Sequence, residues 1–194
     1  MSFKIDQEDN VVLDARTSRR RFLQLGLGAT TGLAMPSAFA SLLTHPERKL
    51  SLLNLHTGES LNATYWAEGQ YQTSELHAIS RVLRDHRSGD AHEMDNNLID
   101  FLNILHHKMD GKKAFHVISG YRSPKSNAQL RSNSSGVAKK SLHMQGKAID
   151  IRLPGRDLSA LRTAALSLQT GGVGYYPKSD FIHVDTGRVR QWAG

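Results

Sequence analysis

The chain of 194 residues contains no cysteine. This absence excludes disulfide bonds and every metal site that is built from thiolates. Any metal ion must then be held by imidazoles and carboxylates, and ten histidines are available for such a site. Aromatic residues are also scarce, at 7% of the chain.

The formal net charge at pH 7 is +7, with histidine counted as neutral. A basic protein suits a polyanionic partner, such as nucleic acid, an anionic membrane or the acidic bacterial wall. No run of five or more Lys or Arg occurs, and stacking aromatics are few, so we expect no nucleic-acid partner. The best apolar stretch, near residues 22–43, is interrupted by Gly, Thr, Pro and Ser. We therefore expect no stable membrane insertion once a leader is removed.

The first forty residues have the pattern of an export signal. Residues 18–23 read S-R-R-R-F-L, a Gly- and Ala-rich apolar run follows, and A-F-A at 38–40 is typical of a cleavage site. The paired arginines indicate the twin-arginine route, which predicts the twin-arginine machinery as a partner and the periplasm as the location. An amphipathic basic helix is the alternative, but it explains neither the A-x-A pattern nor the glycines. Residues 1–40 are thus predicted to be a signal, either cleaved or retained as an anchor, and residues 41–194 to be one domain.

The rest of the chain predicts short strands interspersed with helices. Apolar residues in period-two or compact runs predict strands at 49–55, 61–66, 114–119, 148–152, 172–176 and 181–185. Apolar stripes at helical spacing predict helices near 76–83, 98–105, 124–131 and 158–168. Short, closely linked strands favour an α+β fold, with a small antiparallel sheet and helices packed on one side.

Three residues could form a catalytic metal site. Such sites take three protein ligands and leave one position for water. His143, Asp150 and His183 supply two imidazoles and a carboxylate, and Gly146 allows the chain to turn between the first two. Each histidine taken alone also fits a structural role, whereas Asp150, in an apolar strand, needs a partner.

Hydrolysis also requires a base and a group that stabilises an oxyanion. Asp180, three residues before His183, and Asp185, two residues after it, are both candidate bases. Arg122 could bind a carbonyl or carboxylate of the substrate, or it could be a simple turn cation. Tyr175 and Tyr176 fit either a groove wall or strand packing.

Several blocks in order resemble a known family. S-G-Y-R-S at 119–123, S-x-H-x-x-G-x-A-x-D at 141–150 and F-I-H-V-D-T-G at 181–187 carry the resemblance, with further matches at 54–60 and 171–177. Together they resemble the zinc D-Ala-D-Ala peptidase and hedgehog-type superfamily, and within it the YcbK-like (MepK) murein endopeptidases. The likeness covers nearly all of the chain after residue 40, and the twin-arginine pattern matches too.

The resemblance implies a zinc peptidase domain over residues 41–194, with His143, Asp150 and His183 as zinc ligands and Arg122 in contact with the substrate. It places the base at Asp180, while Asp185 in the H-x-D of this branch is the competing base or a residue that orients His183. The implied substrates are cross-linked peptides of peptidoglycan, in particular 3-3 bonds between diaminopimelate residues. Two rivals stay open, namely a D-Ala-D-Ala carboxypeptidase and a non-catalytic wall-binding module that contains zinc.

Overall fold

The computed structural model describes residues 46–134 and 136–194, and over these ranges the chain adopts the expected α+β fold. The strands are β1 Arg48–Asn54, β2 Ser60–Ala67, β3 Gln70–Tyr71, β4 Phe115–Ser119, β5 Ala148–Arg152, β6 Gly172–Tyr176, β7 Phe181–Asp185 and β8 Arg190–Ala193. The helices are α1 Thr73–Val82, α2 Asn96–Lys108, α3 Pro124–Asn133 and α4 Leu158–Ser167. The predicted signal at 1–40 lies outside the described residues. Within them, no helix combines the length and apolar character that crossing a bilayer requires.

All of these strands join one open sheet in the order β3-β2-β1-β4-β5-β7-β6-β8. The expectation of a small, antiparallel sheet was wrong on both counts. The sheet has eight strands, and β1 pairs with β4, and β6 with β8, in parallel. The two parallel pairs follow from long connections, because α1 and α2 lie between β1 and β4, and residues 177–189 lie between β6 and β8.

The longer elements agree with the sequence pattern, and the shortest ones were missed. Six strands and four helices lie where periodicity predicted them, with ends that differ by a few residues. Strands β3 and β8 were not predicted, because their lengths of two and four residues, respectively, are too short to show a period. A 3-10 turn at Leu142–Gln145 was also missed.

The two faces of the central sheet have different roles. Ile149 and Ile151 of β5 and Ile182 and Val184 of β7 are buried in the apolar core, together with residues of the helices. Because side chains alternate along a strand, the residues between them point to the opposite face. Asp150 pairs directly with His183 in this antiparallel register. The same alternation that builds the core therefore places both side chains together on the other face.

A buried carboxylate ties the segment that follows β4 to the end of α1. Asp85 is 1% exposed and accepts hydrogen bonds from the backbone N–H of Ser123 at 2.9 Å and of Arg87 at 3.0 Å. Tyr121 also donates its backbone N–H to the carbonyl of Leu83, at 2.7 Å. Ser123 in turn caps α3, and Pro124 occupies its first turn. These contacts fix the backbone on both sides of Arg122.

A second buried carboxylate joins α2 to the β1–β2 hairpin. Asp100 accepts hydrogen bonds from Arg48 at 3.0 Å, from the Tyr65 hydroxyl at 2.9 Å and from the Tyr71 hydroxyl at 2.7 Å. The guanidinium of Arg48 also lies 4.3 Å from the ring centroid of Trp66. This polar network is remote in the sheet order from β5 and β7, so it serves the fold and not the site on the other face.

Candidate metal centre

Three side chains converge on one point of the open face of the sheet. His183 Nδ1 lies 2.9 Å from Asp150 Oδ1 and 3.2 Å from His143 Nε2, and His143 Nε2 lies 3.4 Å from Asp150 Oδ1. All three residues are largely shielded from solvent, with side chains that are 4 to 12% exposed. Among the described residues, this is the one group of three or more potential ligands that is close enough to hold a metal ion. The structure thus brings together the trio that the sequence singled out.

The spacing of the three atoms fits a tetrahedral metal ion. Bonds of about 2.0–2.2 Å to such an ion place neighbouring ligand atoms roughly 3.3–3.6 Å apart. The observed separations of 2.9, 3.2 and 3.4 Å are close to that value. Two imidazoles and a carboxylate are also a ligand set found in catalytic zinc sites, which keep a fourth position for water. The residues present therefore fit zinc in both geometry and chemistry.

The backbone around His143 determines which of its nitrogens faces the cluster. His143 lies in the 3-10 turn Leu142–Gln145, and its Nδ1 donates to the carbonyl oxygen of Gly120 at 2.7 Å. This bond assigns the proton to Nδ1 and leaves the lone pair of Nε2 directed at Asp150 and His183. Gly146 then ends the turn at a φ of +64°, and a Cβ there would meet the carbonyl of Glu93. The glycine expected to turn the chain toward Asp150 is thus required for two reasons.

His183 is oriented by a carboxylate on its far side. Its Nε2 lies 3.0 Å from Asp185 Oδ2, so the ring donates a proton there and presents Nδ1 to the cluster. Asp185 is completely buried and accepts further bonds from the backbone N–H groups of Gly172 and Gly187, at 3.0 and 2.8 Å. Arg190 completes its shell with two bonds, at 3.0 and 2.6 Å. Both oxygens of Asp185 are therefore occupied.

The charges of the cluster reinforce one another. Burial alone raises the pKa of Asp150, but the charges and hydrogen bonds of His143 and His183 outweigh it and hold that pKa below its ordinary value. Burial lowers the pKa of His183, and hydrogen bonds with Asp150 and Asp185 outweigh that effect and raise it. Burial also raises the pKa of Asp185, but hydrogen bonds from His183 and Arg190 outweigh it and lower that pKa, so both carboxylates are ionised beside the imidazoles and favour a positive charge in the site.

Arg122 borders the cluster and retains an unused donor. Its Nη2 lies 3.8 Å from Asp150 Oδ2 and 3.4 Å from the hydroxyl of Ser119. The side chain is 13% exposed, and its Nε is buried with no hydrogen-bond partner among the described residues. Burial lowers the pKa of Arg122, although Asp150 opposes this effect. A guanidinium that lines the pocket beside the cluster and makes only long contacts is suited to binding an oxygen of a ligand.

The two candidate bases occupy different places. Asp185 lies behind His183, on the ring nitrogen that faces away from the cluster. Asp180 adopts a left-handed conformation, with φ of 54°, just before β7, and its carboxylate bonds Arg152 at 2.6 Å. It lines a separate recess of about 220 Å³ with Arg152 and His116. Since Arg152 follows Asp150 by two residues on β5, this recess adjoins the cluster along the same face.

The cluster lies at the floor of a pocket of about 490 Å³. One wall consists of Tyr176, Phe181 and Trp192, in which the Tyr176 and Phe181 rings stack at 4.6 Å and the Trp192 indole donates to the Tyr176 hydroxyl at 2.9 Å. Residues 136–138 and 140–142, which include Lys140, also line the pocket. Tyr176 therefore lines the groove, whereas Tyr175 packs against the core.

Sequence reasoning missed Arg190 and Trp192. Both lie on β8, the strand that no period revealed. A signal was present in the glycines of β6, because a Cβ at Gly172 would meet Arg190 and one at Gly174 would meet the Trp192 ring. Glycines within a strand often mark such close approaches.

Comparison with known proteins shows which family the chain resembles. Residues 43–192 match the family described as peptidoglycan L,D-endopeptidase MepK. The Escherichia coli (strain K12) protein of that name is 44% identical over 176 residues, which are 90% of this chain and 97% of the relative. The Haemophilus influenzae protein, named as a probable member, is 41% identical over 180 residues, covering 91% of this chain and 96% of the relative. Because the match spans nearly the whole chain, this protein belongs to the peptidoglycan L,D-endopeptidase MepK family.

Proposed function

We propose that this protein is a zinc-dependent endopeptidase that hydrolyses peptide cross-links of peptidoglycan in the periplasm. One observation carries the proposal. The hydrogen bonds to Gly120 and Asp185 leave lone pairs on His143 Nε2 and His183 Nδ1, and both point at a carboxylate oxygen within 3.4 Å. When His183 Nδ1 carries no proton, these three electron-rich atoms repel one another, and a divalent metal ion between them would relieve that repulsion. The names of the relatives support the substrate class.

His143, Asp150 and His183 would hold the zinc ion. When bound, zinc supplies a Lewis acid that polarises a carbonyl and lowers the pKa of a water molecule in its coordination sphere to about 7. Nitrogen and carboxylate ligands, without sulfur, fit zinc within a group of divalent metals that also includes cobalt and nickel. The pocket above the cluster, walled by Tyr176 and Trp192, would receive the peptide.

Arg122 would bind the carbonyl oxygen of the scissile amide. Arg122 lines the pocket, and its Nη2 makes only long contacts, at 3.8 Å to Asp150 and 3.4 Å to Ser119, so it can donate without breaking a strong contact. As negative charge grows on that oxygen in the transition state, a fixed guanidinium stabilises the charge more than it stabilises the ground state. Removal of a single such donor commonly lowers kcat by 10²- to 10³-fold.

Asp180 is the better of the two candidate bases. Its carboxylate is 60% exposed, and its partner Arg152 is 37% exposed, so breaking their bond costs about 0–1 kcal/mol. A change of rotamer would then direct the carboxylate along the open face, where it would take a proton from the attacking water and deliver it to the leaving amine. Asp185 is buried and accepts five hydrogen bonds. It would serve to orient His183 instead.

The first test incubates the purified full chain with muropeptide dimers, with zinc or with a chelator, and follows the products by mass. Zinc-dependent conversion of dimers to monomers is expected, with 3-3 dimers preferred over 4-3 dimers. His183→Ala is expected to abolish zinc binding and cleavage together. Loss of D-Ala from free pentapeptides, with dimers left intact, would indicate a carboxypeptidase, and bound zinc without any cleavage would indicate a wall-binding module.

The roles of the acids separate in a second test. Asp180→Asn is expected to lower kcat while zinc affinity stays unchanged, and the exposed Asp90→Asn serves as the matched control. Asp185→Asn is expected to weaken zinc binding as well. An Asp180→Asn enzyme with the full rate would remove Asp180 as the base.

Export would follow the twin-arginine route. The proposal rests on the sequence of residues 18–40 and on a substrate that lies outside the cytoplasm. Replacing Arg19 and Arg20 with Lys should retain the protein in the cytoplasmic fraction, where cell fractionation would detect it. Recovery of that variant from the periplasm would contradict the proposed export route, and the proposal on enzymatic activity would be unaffected.

A further inference from the structure

We infer that Arg190 is a positioning residue for the metal centre, and that it acts through Asp185 on His183. The inference rests on the proposed function, because it concerns the ligand that would hold zinc. Arg190 is separated from the cluster by one side chain, that of Asp185, and no motif in the chain marks it. Its contacts form a continuous series from β8 to the ligand nitrogen.

The first step joins Arg190 to Asp185. Nη1 of Arg190 lies 3.0 Å from Asp185 Oδ1 and Nη2 lies 2.6 Å from Oδ2, so the guanidinium grips both oxygens. Such a two-point contact fixes direction as well as distance, and a lysine cannot reproduce it. Asp185 is completely buried, whereas Arg190 is 32% exposed. The arginine therefore supplies the counter-charge that a buried carboxylate needs.

The second step joins Asp185 to the ring of His183. Asp185 Oδ2 accepts from His183 Nε2 at 3.0 Å, and this oxygen is shared with Arg190 Nη2. Rotation of the carboxylate would break both bonds at once. With a proton held at Nε2, Nδ1 is the nitrogen of the neutral ring that carries the lone pair, and it lies 2.9 Å from Asp150 and 3.2 Å from His143. A carboxylate behind a ligand imidazole also raises the basicity of the ligand.

The third step explains why Arg190 can reach Asp185. Strand β8 runs parallel to β6, with Arg190 beside Gly172. A Cβ on Gly172 would meet both the Arg190 guanidinium and the Asp185 carboxylate. The next residue of β8 on this face, Trp192, receives the guanidinium over its ring at 4.9 Å. The absence of a side chain at Gly172 and the indole at Trp192 thus hold Arg190 in place from two sides.

The inference predicts a specific loss in Arg190→Gln. Removal of a supporting residue of this kind typically weakens metal binding or activity by 10- to 100-fold. We expect zinc affinity, measured by competition with a chromogenic chelator, to fall at least tenfold in Arg190→Gln and by an intermediate factor in Arg190→Lys. The matched control is Arg188→Gln, since Arg188 is exposed and precedes β8. Circular dichroism monitors the fold of each variant, and Arg190→Lys keeps a positive charge beside Asp185 should Arg190→Gln fail to fold.

A second readout does not depend on any metal. In the zinc-free protein, the buried Nε2 proton of His183 should exchange slowly with water and give a downfield imidazole resonance, assigned by its absence in His183→Ala. We expect this resonance to persist in Arg188→Gln and to disappear in folded Arg190→Gln. If Arg190→Gln keeps the resonance and a zinc affinity within twofold of that of Arg188→Gln, the inference is refuted. If the wild type binds no zinc but the resonance still depends on Arg190, the positioning role stands and the proposed zinc function fails.

Discussion

Replacing Asp85 with Asn is expected to destabilise the protein by about 2–4 kcal/mol. Each oxygen of Asp85 accepts one backbone N–H, from Ser123 at 2.9 Å and from Arg87 at 3.0 Å. In Asp85→Asn an amide NH₂ replaces one oxygen and faces a donor, so one buried N–H loses its acceptor at a cost of about 1–3 kcal/mol. The remaining bond loses its charge assistance, which costs about 1 kcal/mol more.

The effect should be visible in urea denaturation at pH 7 with chelator present, so that metal binding does not contribute. A loss of about 3 kcal/mol corresponds to a Tm lower by roughly 6–12 °C for a domain of this size. The exposed Glu93→Gln, which removes the same charge, is the control and should match the wild type. Equal midpoints for Asp85→Asn and Glu93→Gln would refute the reasoning.

The same carboxylate predicts a pH dependence. Burial raises the pKa of Asp85, but hydrogen bonds from Ser126, Ser123 and Arg87 outweigh it and hold that pKa well below the ordinary value. A depressed pKa in the folded state contributes stability in full above the unfolded pKa, near 4, and this contribution is lost as pH falls through the folded value. The stability gap between the wild type and Asp85→Asn should therefore be constant from pH 7 to 5 and shrink below about pH 4. A gap that stays constant down to pH 3 would contradict the assignment.

Three further outcomes follow from other contacts. Gly146→Ala should lower stability by about 1–3 kcal/mol and weaken zinc binding, because its φ of +64° disfavours a side chain and a Cβ would meet the Glu93 carbonyl; denaturation and chelator competition measure both. Asp100→Leu should lower stability by about 2–4 kcal/mol, because the Tyr65 and Tyr71 hydroxyls lose the carboxylate to which they donate, and zinc affinity should stay unchanged. Trp192→Ala should raise KM for dimers more than it lowers kcat, because it removes part of the pocket wall. Steady-state kinetics measures both constants, and a fall in kcat with KM unchanged would contradict the prediction.

The fold was largely predictable where elements are long enough to repeat a period. The apolar residues Ile149, Ile151, Ile182 and Val184 alternate with polar ones, so β5 and β7 could be placed to the residue. Sheet order and the parallel pairing of β8 depend on contacts between distant segments, which a local pattern does not encode.

The candidate site, too, has parts that the sequence predicts and parts that it does not. The residue types of His143, Asp150 and His183 carry a chemical signal, and the resemblance to a family grouped them correctly in space. The partner of His143 Nδ1 is a backbone carbonyl, at Gly120, and carbonyls leave no trace in a sequence. Asp180 was expected beside the cluster from its distance in the chain to His183, but the left-handed turn before β7 sets its carboxylate against Arg152.

The shared register of β5 and β7 restricts which insertions the protein tolerates. A one-residue insertion in either strand would turn Asp150 or His183 into the core and expose isoleucines in the same event. Such an insertion would therefore remove both the stability of the core and the ligand set, and a variant that loses only one of them does not arise in this way. Residues 136–138 and 140 line the pocket but contribute none of the three ligands. Differences in length among homologues should therefore accumulate there, where a changed loop can alter the shape of the pocket and leave the metal ligands in place.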